Sequence, residues 1–224
     1  MDKPVVYSNG FSPSAKRVLA ALALKGVDHD VVEVDITQKQ RPDAFNAVSP
    51  FGKVPVLVHQ GKNLIESAVI CEYINEVWRT PAMLPEDPAG RAYARQWIAF
   101  FNRAVADRDG EFVHVARDVD RKVAVCRRIF PDLAILDREV ATKAAYFLGD
   151  DLSLVDVVIA PFTRILGMWA ELVGDEHFAG YGNLGAYFDR LGAHPVLEEV
   201  VYNVPDDAYH GFFSAVLKDG MTVP

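Results

Sequence analysis

Three short stretches gather the residue types that could hold and activate a small nucleophile: YSNGFSPSAKRVL (7–19), SPFGKVPVL (49–57) and IESAVICEYI (65–74). In the first, Gly10 ends an apolar run and Ser12-Pro13 opens a new element. Serine is a favoured N-cap, and proline suits the first helical position because its missing N–H would be an orphan there anyway. Capping alone accounts for both residues. A hydroxyl nevertheless carries one donor and two lone pairs, so Ser12 can accept from the helix and still direct its proton outward. The positive end of the helix dipole favours an anion at the same point. If that anion were a thiolate, its thiol pKa would fall from roughly 8.5 towards neutrality, at about 1.4 kcal/mol per unit.

In the second stretch Pro55 stands at the beginning of an apolar strand, where its lack of a donor is tolerated. A plain strand start explains it. A cis Val54-Pro55 bond would instead turn the Val54 backbone outward to pair with an extended peptide. In the third, Glu66-Ser67 sits at a strand-to-helix junction, with Ser67 as an ordinary N-cap or as more. A carboxylate would meet a hydroxyl, first-turn N–H groups and a helix dipole there, and Glu66 could meet an ammonium group, a pairing that suits an amino-acid zwitterion. A fourth motif, LSLVDVVIAPF (152–162), has Ser153 and Asp156 in a capping-box arrangement and reads as structural.

The elements that must position these residues follow from periodicity. Val5 to Tyr7 reads as a strand, 14–25 as an amphipathic helix closed by Gly26, and 31–34 as a second strand, giving a right-handed parallel βαβ unit. Strands at 54–59 and 63–65 turn about Gly61 as a hairpin, and a helix follows over about 67–78. Residues 81–88 are rich in Pro and charge and suit a linker. Beyond it the pattern is helical at about 89–116, 120–143, 154–171, 183–192 and 195–202, followed by an irregular tail rich in Tyr and Phe. The expected organisation is therefore an α/β domain over 1–80, the linker, and an all-α domain over 89–224.

Composition excludes several functions. Half of the 224 residues are hydrophobic, so a packed core can form, and the net charge of −8 without a basic run argues against nucleic acid or an anionic membrane as partner. No apolar run reaches the ~20 residues of a membrane span, and MDKPVVYS is not a signal peptide, so a cytoplasmic location is expected. Cys71 and Cys126 form no CxxC pair and have no His cluster beside them, which leaves neither a disulfide framework nor a metal site.

Taken in order, these motifs resemble those of the cytosolic glutathione transferases over essentially the whole chain: a thioredoxin-like βαβ-ββα domain, a cis-proline segment, a γ-glutamyl-binding segment and a capping box in an all-helical domain. YSNGFSPSAKRV, QRPDAF, ESAVICEYI and MLPEDP most resemble the omega class, whose catalytic cysteine is replaced here by Ser12. The redox chemistry of that class is therefore not expected. A serine at this point resembles the phi, theta and zeta classes, where the hydroxyl stabilises the glutathione thiolate.

The resemblance implies that Ser12 donates to the glutathione sulfur and that Phe11 borders it. The Val54 backbone beside Pro55 would pair with the cysteinyl unit, Glu66 and Ser67 would hold the γ-glutamyl end, and Arg41 and Lys53 the glycine carboxylate. Tyr7 is the alternative thiolate partner. The implied reaction is attack of the thiolate on an apolar electrophile, held against Phe11 by Phe100, Arg103, Trp169, Tyr209 and Phe212. The implied partners are glutathione as co-substrate and a second subunit in a homodimer. Two rivals stand beside this reading: a glutathione-dependent lyase, ether-cleaving or dehalogenating enzyme of the same fold, and a non-catalytic ligand-binding or interaction module.

Overall fold

The structure, a computed structural model, describes residues 2–38, 40–114, 118–174 and 179–219. Its N-terminal part runs β1 (Val5–Ser8), α1 (Pro13–Leu24), β2 (Asp30–Glu33), α2 (Asp43–Asn46), β3 (Val56–His59), β4 (Lys62–Leu64) and α3 (Ser67–Val77). The sheet order is β2-β1-β3-β4, with β1 parallel to β2 and antiparallel to β3, and β3 antiparallel to β4. Strand alternation divides the sheet into two faces. Val6 and Leu57 face a core shared with Val18 of α1 and Ile70 of α3, while Val56 faces Phe45 of α2 and Val34. A one-residue slip of β1 would exchange these faces, so the buried pair Val6↔Leu57 helps to fix the register. The α1 helix stops at Gly26, whose φ of +62° suits glycine. There Gly26 N–H donates to Ala23 O at 2.9 Å and Val27 N–H to Leu22 O at 3.0 Å, closing the helix with its orphan carbonyls satisfied.

The remainder is helical: α4 (Pro88–Phe101), a π turn (Asn102–Ala106), α5 (Asp107–His114), α6 (Val119–Arg127), α7 (Phe130–Val140), α8 (Leu154–Ile159), a 3-10 turn (Ala160–Phe162), α9 (Thr163–Val173), α10 (Gly182–Gly192), α11 (Pro195–Val200) and α12 (Asp206–Asp219). Every residue of α8 is buried. Its start is held by Asp156, which accepts from Ser153 N–H at 2.8 Å, Ser153 Oγ at 2.5 Å, Phe147 N–H at 2.9 Å and Tyr187 Oη at 2.6 Å. The capping arrangement of the sequence thus reaches two further segments of chain.

Three sequence expectations are corrected, and one element is added. The helix expected at 120–143 is two helices, α6 and α7, because Pro131 begins a new helix. The polar segment after β2 contains the short helix α2, whose one buried side chain, Phe45, covers the sheet's second face. The long helix at 89–116 is interrupted by the π turn. The irregular tail is instead helix α12: Tyr209, Phe213 and Val216, spaced by four and three, form its buried stripe. Among the described residues no helix is long and apolar enough to cross a membrane.

Candidate functional site

A cleft of about 440 Å³ lies between the N-terminal part and the helices, within the usual ~300–1,000 Å³ of small-molecule sites. Phe11, Ser12, Arg41, Lys53, Val54, Pro55, Glu66 and Ser67 all border it. Sequence positions far apart are thereby gathered at one edge of the sheet.

Asn9 builds the loop that presents Ser12. It is buried, its Nδ2 donates to Val34 O at 2.9 Å, and its Oδ1 accepts from Phe11 N–H at 3.0 Å. Ser12 N–H donates to Asn9 O at 3.0 Å, and Ser12 Oγ accepts from Ala15 N–H at 3.3 Å as the cap of α1. The cap uses a lone pair of the hydroxyl and leaves its proton for a partner in the cleft. Tyr7 does not border the cleft. Its ring lies 5.8 Å from that of Phe45, against the second face of the sheet.

At the second edge the Val54-Pro55 bond is cis. The β1–β3 register begins at Val56, so the Val54 peptide stands outside the ladder, facing the cleft. Glu66, not Ser67, occupies the cap position of α3; its φ of +66° is a costly conformation for a non-glycine residue, of the kind that concentrates at functional sites. Ser67 is the first helical residue. The first-turn N–H groups of Ser67, Ala68 and Val69 have no helical partner, and all three residues border the cleft. Arg41 gives its Nη1 to Asp35 O and its Nη2 to Ile36 O at 3.0 Å, while its buried Nε has no partner. Lys53 is exposed at the rim.

Beneath Ser67 lies Arg17, only 1% exposed. Its Nε donates to Val158 O at 2.8 Å and its Nη1 to Ser67 Oγ at 3.1 Å, and its guanidinium stacks 4.4 Å from the Phe162 ring centroid. Its Nη2 has no partner. Burial lowers its pKa to about 10, with Cys71, Asp109 and Asp107 opposing, so it stays protonated at neutral pH.

The opposite wall comes from α5, α9 and α12. The Phe11 ring stacks on Phe212 at 4.4 Å and 10°, and lies 6.0 Å from Tyr209. Helix α12 is fastened there by Lys122 Nζ donating to Val216 O at 2.6 Å, by the Phe112–Phe213 stack at 5.5 Å, and by Arg164 Nη2 against Asp206 at 2.6 Å. Tyr209 and Phe212 border the cleft as expected, but Phe100, Arg103 and Trp169 do not. Trp169 is fully buried against Phe112, and Arg103 stacks on Phe100 outside the cleft. A π turn adds a residue to the helical repeat, so the chain beyond it is rotated by about 100° relative to a continuous α-helix. Asn102, Ala106, Asp109, Gly110 and Val113 face the cleft.

Comparison with known proteins decides the family. The glutathione S-transferase N-terminal domain model matches residues 11–77 and the C-terminal domain model matches 92–190. A probable glutathione S-transferase of Nicotiana tabacum is 33% identical over 165 residues, covering 74% of this chain and 72% of that protein. The chain belongs to the glutathione S-transferase family. Glutathione S-transferase omega-1 of Rattus norvegicus is 31% identical over 163 residues, 72% of this chain and 66% of its own. The crystal structure of rice GST1 in complex with glutathione superposes with a TM-score of 0.79 at 25% identity, covering 95% of both chains.

Sequence reasoning missed two residues of this transferase's cleft, Arg17 and Asp109, and Asn9 in the loop behind it. For Arg17 there was a signal. Helix α1, PSAKRVLAALAL, is apolar on nearly every face, and a helix of that kind is buried all round, with whatever cation it carries. Asp109 had none, because its orientation depends on the π turn.

Proposed function

We propose that this transferase binds reduced glutathione along the edge formed by Val54, Glu66 and Ser67, with the sulfur at Ser12, and directs the thiolate onto an electrophilic carbon of an apolar co-substrate. One observation carries the reading: the Ser12 hydroxyl caps α1 through a lone pair, so its proton remains available to a sulfur anion at the helix mouth. The hydrogen bond and the helix dipole both favour the anion over the neutral thiol. The γ-glutamyl carboxylate would take the first-turn N–H groups of α3 and the Ser67 hydroxyl, whose lone pair already accepts from Arg17. Its ammonium group would face Glu66. Lys53, and the buried Nε of Arg41, would serve the glycine carboxylate.

The electrophile would sit between Phe11 and the α5–α12 wall, where apolar surface prevails. The reaction is nucleophilic attack with electrostatic activation and no covalent enzyme intermediate. The enzyme is read as a cytoplasmic homodimer, with the apolar side chains of Phe51 (64% exposed) and Val69 (59% exposed) at the cleft rim as the surface a second subunit would cover. Retention on immobilised glutathione, followed by conjugation of an aryl halide, tests the reading. Failure to retain the protein would overturn it.

A further inference from the structure

The π turn and α5 bring two acids to the cleft, Asp107, which is exposed, and Asp109, which is half-buried beside Ala106, Gly110 and Val113. Around it the cleft is walled by Phe112, Ile165, Phe213 and Val216. Among the described residues the Asp109 oxygens accept no hydrogen bond and form no salt bridge. A partly buried carboxylate without a partner lowers stability, so packing gives no reason for it. A charged group retained in an apolar wall of a reaction cleft points to use.

Arg17 on α1 acts on Asp109, and Asp109 in turn acts on two groups of the facing elements, Cys126 on α6 and Tyr209 on α12. Burial keeps these two neutral, since the Cys126 thiol is pushed up to about 12 and the Tyr209 phenol is raised as well. Arg17 favours the ionised carboxylate, but burial outweighs it and raises the Asp109 carboxyl to about 7. One cleft would then hold an ionised sulfur and a protonated carboxyl at the same pH, the separation that acid–base division of labour needs.

We propose that Asp109 is a catalytic acid for co-substrates whose attack by the glutathione thiolate generates an oxyanion, with apolar epoxides as the substrate class. The proposal rests on the thiolate reading above. The sulfur forms a bond to an epoxide carbon, the C–O bond breaks with its electron pair going to oxygen, and the alkoxide takes the Asp109 proton to give the alcohol. The carboxylate is then reprotonated from solvent, which had received the proton released by the thiol on activation. An aryl chloride makes no such demand, because chloride leaves as a stable anion.

The test compares styrene oxide with 1-chloro-2,4-dinitrobenzene as co-substrates of the full-length protein, reading the ratio of their kcat/KM values from pH 5.5 to 9. Thiolate formation enters both reactions and cancels in the ratio. The expected wild-type ratio is flat below neutrality and falls about tenfold per pH unit above the Asp109 ionisation. In Asp109→Asn, which cannot give up a proton, the ratio at pH 6.5 falls by about 10- to 100-fold and loses its pH dependence. Asp109→Glu restores part of it. A wild type that conjugates the aryl chloride but shows a pH-independent ratio, or does not open the epoxide, overturns the role of Asp109 and leaves the thiolate reading standing. A wild type inactive on both that also fails to bind glutathione overturns both. The wild-type profile decides the matter even if the variants do not fold.

Discussion

Replacing Ser12 by alanine separates two roles that one hydroxyl combines. As a cap it accepts from Ala15 N–H at 3.3 Å, a long contact, and Pro13 remains to favour the helix start. The stability lost should sit at the low end of the capping range, about 0.5–1 kcal/mol. As a donor to a sulfur anion it would make a charge-assisted hydrogen bond of about 1.5–3 kcal/mol, which at about 1.4 kcal/mol per unit is one to two units of thiol pKa. The assay is the ultraviolet absorbance of the thiolate of bound glutathione, titrated in wild type, Ser12→Ala and Ser12→Thr. The midpoint should rise by about one to two units in the alanine variant and return in the threonine variant, which keeps a hydroxyl and can still cap. Conjugation of an aryl chloride at pH 6.5 should fall by about 10- to 100-fold in Ser12→Ala, and the loss should shrink above the free thiol pKa of roughly 8.5, where the thiolate forms unaided. Tyr7→Phe serves as the control, since that ring packs on Phe45 away from the cleft. An unchanged midpoint in Ser12→Ala, with glutathione still bound, would refute the reasoning and move thiolate stabilisation to the helix N–H groups.

Ser67→Ala removes both an acceptor of Arg17 and a first-turn hydroxyl; the KM for glutathione should rise about tenfold with a much smaller change in kcat, measured by initial rates, because the lost interaction is with a non-reacting end of the ligand. Asp109 is protonated up to about pH 7 when folded but only up to its ordinary carboxyl range when unfolded, so the folded state binds the extra proton between these limits and stability falls as pH rises through them. Asp109→Asn should therefore stabilise the protein at pH 8.5 by about 1–2 kcal/mol, well below the ~4 kcal/mol of an undiscounted three-unit shift because part of the carboxyl meets solvent, and should change little at pH 4.5, as read by urea denaturation. Asp156→Ala leaves the buried Ser153 and Phe147 N–H groups and the Tyr187 hydroxyl without their acceptor, and at about 1–3 kcal/mol for each orphan the unfolding free energy should drop by at least about 3 kcal/mol.

The strands, α1, α3 and the capping of α8 were legible because each is written locally: short apolar, β-branched runs in VVY and VLV, a Ser-Pro start, a Gly stop, and Ser153 three residues before Asp156. Tertiary effects hid the rest. Helix α12 carries a correct apolar stripe at Tyr209, Phe213 and Val216, but Gly211 in its middle weakens its propensity, and packing on Phe11 and Phe112 decides it. Ser12, Val54, Glu66 and Ser67 could be gathered at one cleft because their motifs are contiguous. The facing wall could not be, since the π turn at Asn102–Ala106 sets which residues of α5 face inward. Phe100 and Arg103, both expected in that wall, lie outside the cleft, where Arg103 stacks on Phe100.

Arg17 shows why the two halves of the molecule are not independent carriers of the site. A buried ion without a carboxylate partner is poor evidence for stability, since apolar replacements of buried charges are often neutral or stabilising. Its hydrogen bonds argue a different purpose. One donor reaches Ser67 Oγ at the start of α3 and another reaches Val158 O in α8, so a single guanidinium spans the interface between the sheet-containing part and the helices. By occupying a lone pair of Ser67 it leaves that hydroxyl to act as a donor into the cleft. It also sets a positive charge beneath the first turn of α3, where the helix dipole already favours an anion. On the other side its field reaches Asp109, whose ionisation it favours against burial. The start of α3 and the α5 wall of the cleft thus share one cation, so a change in the protonation of Asp109 alters the field at the proposed anion site beside Ser67.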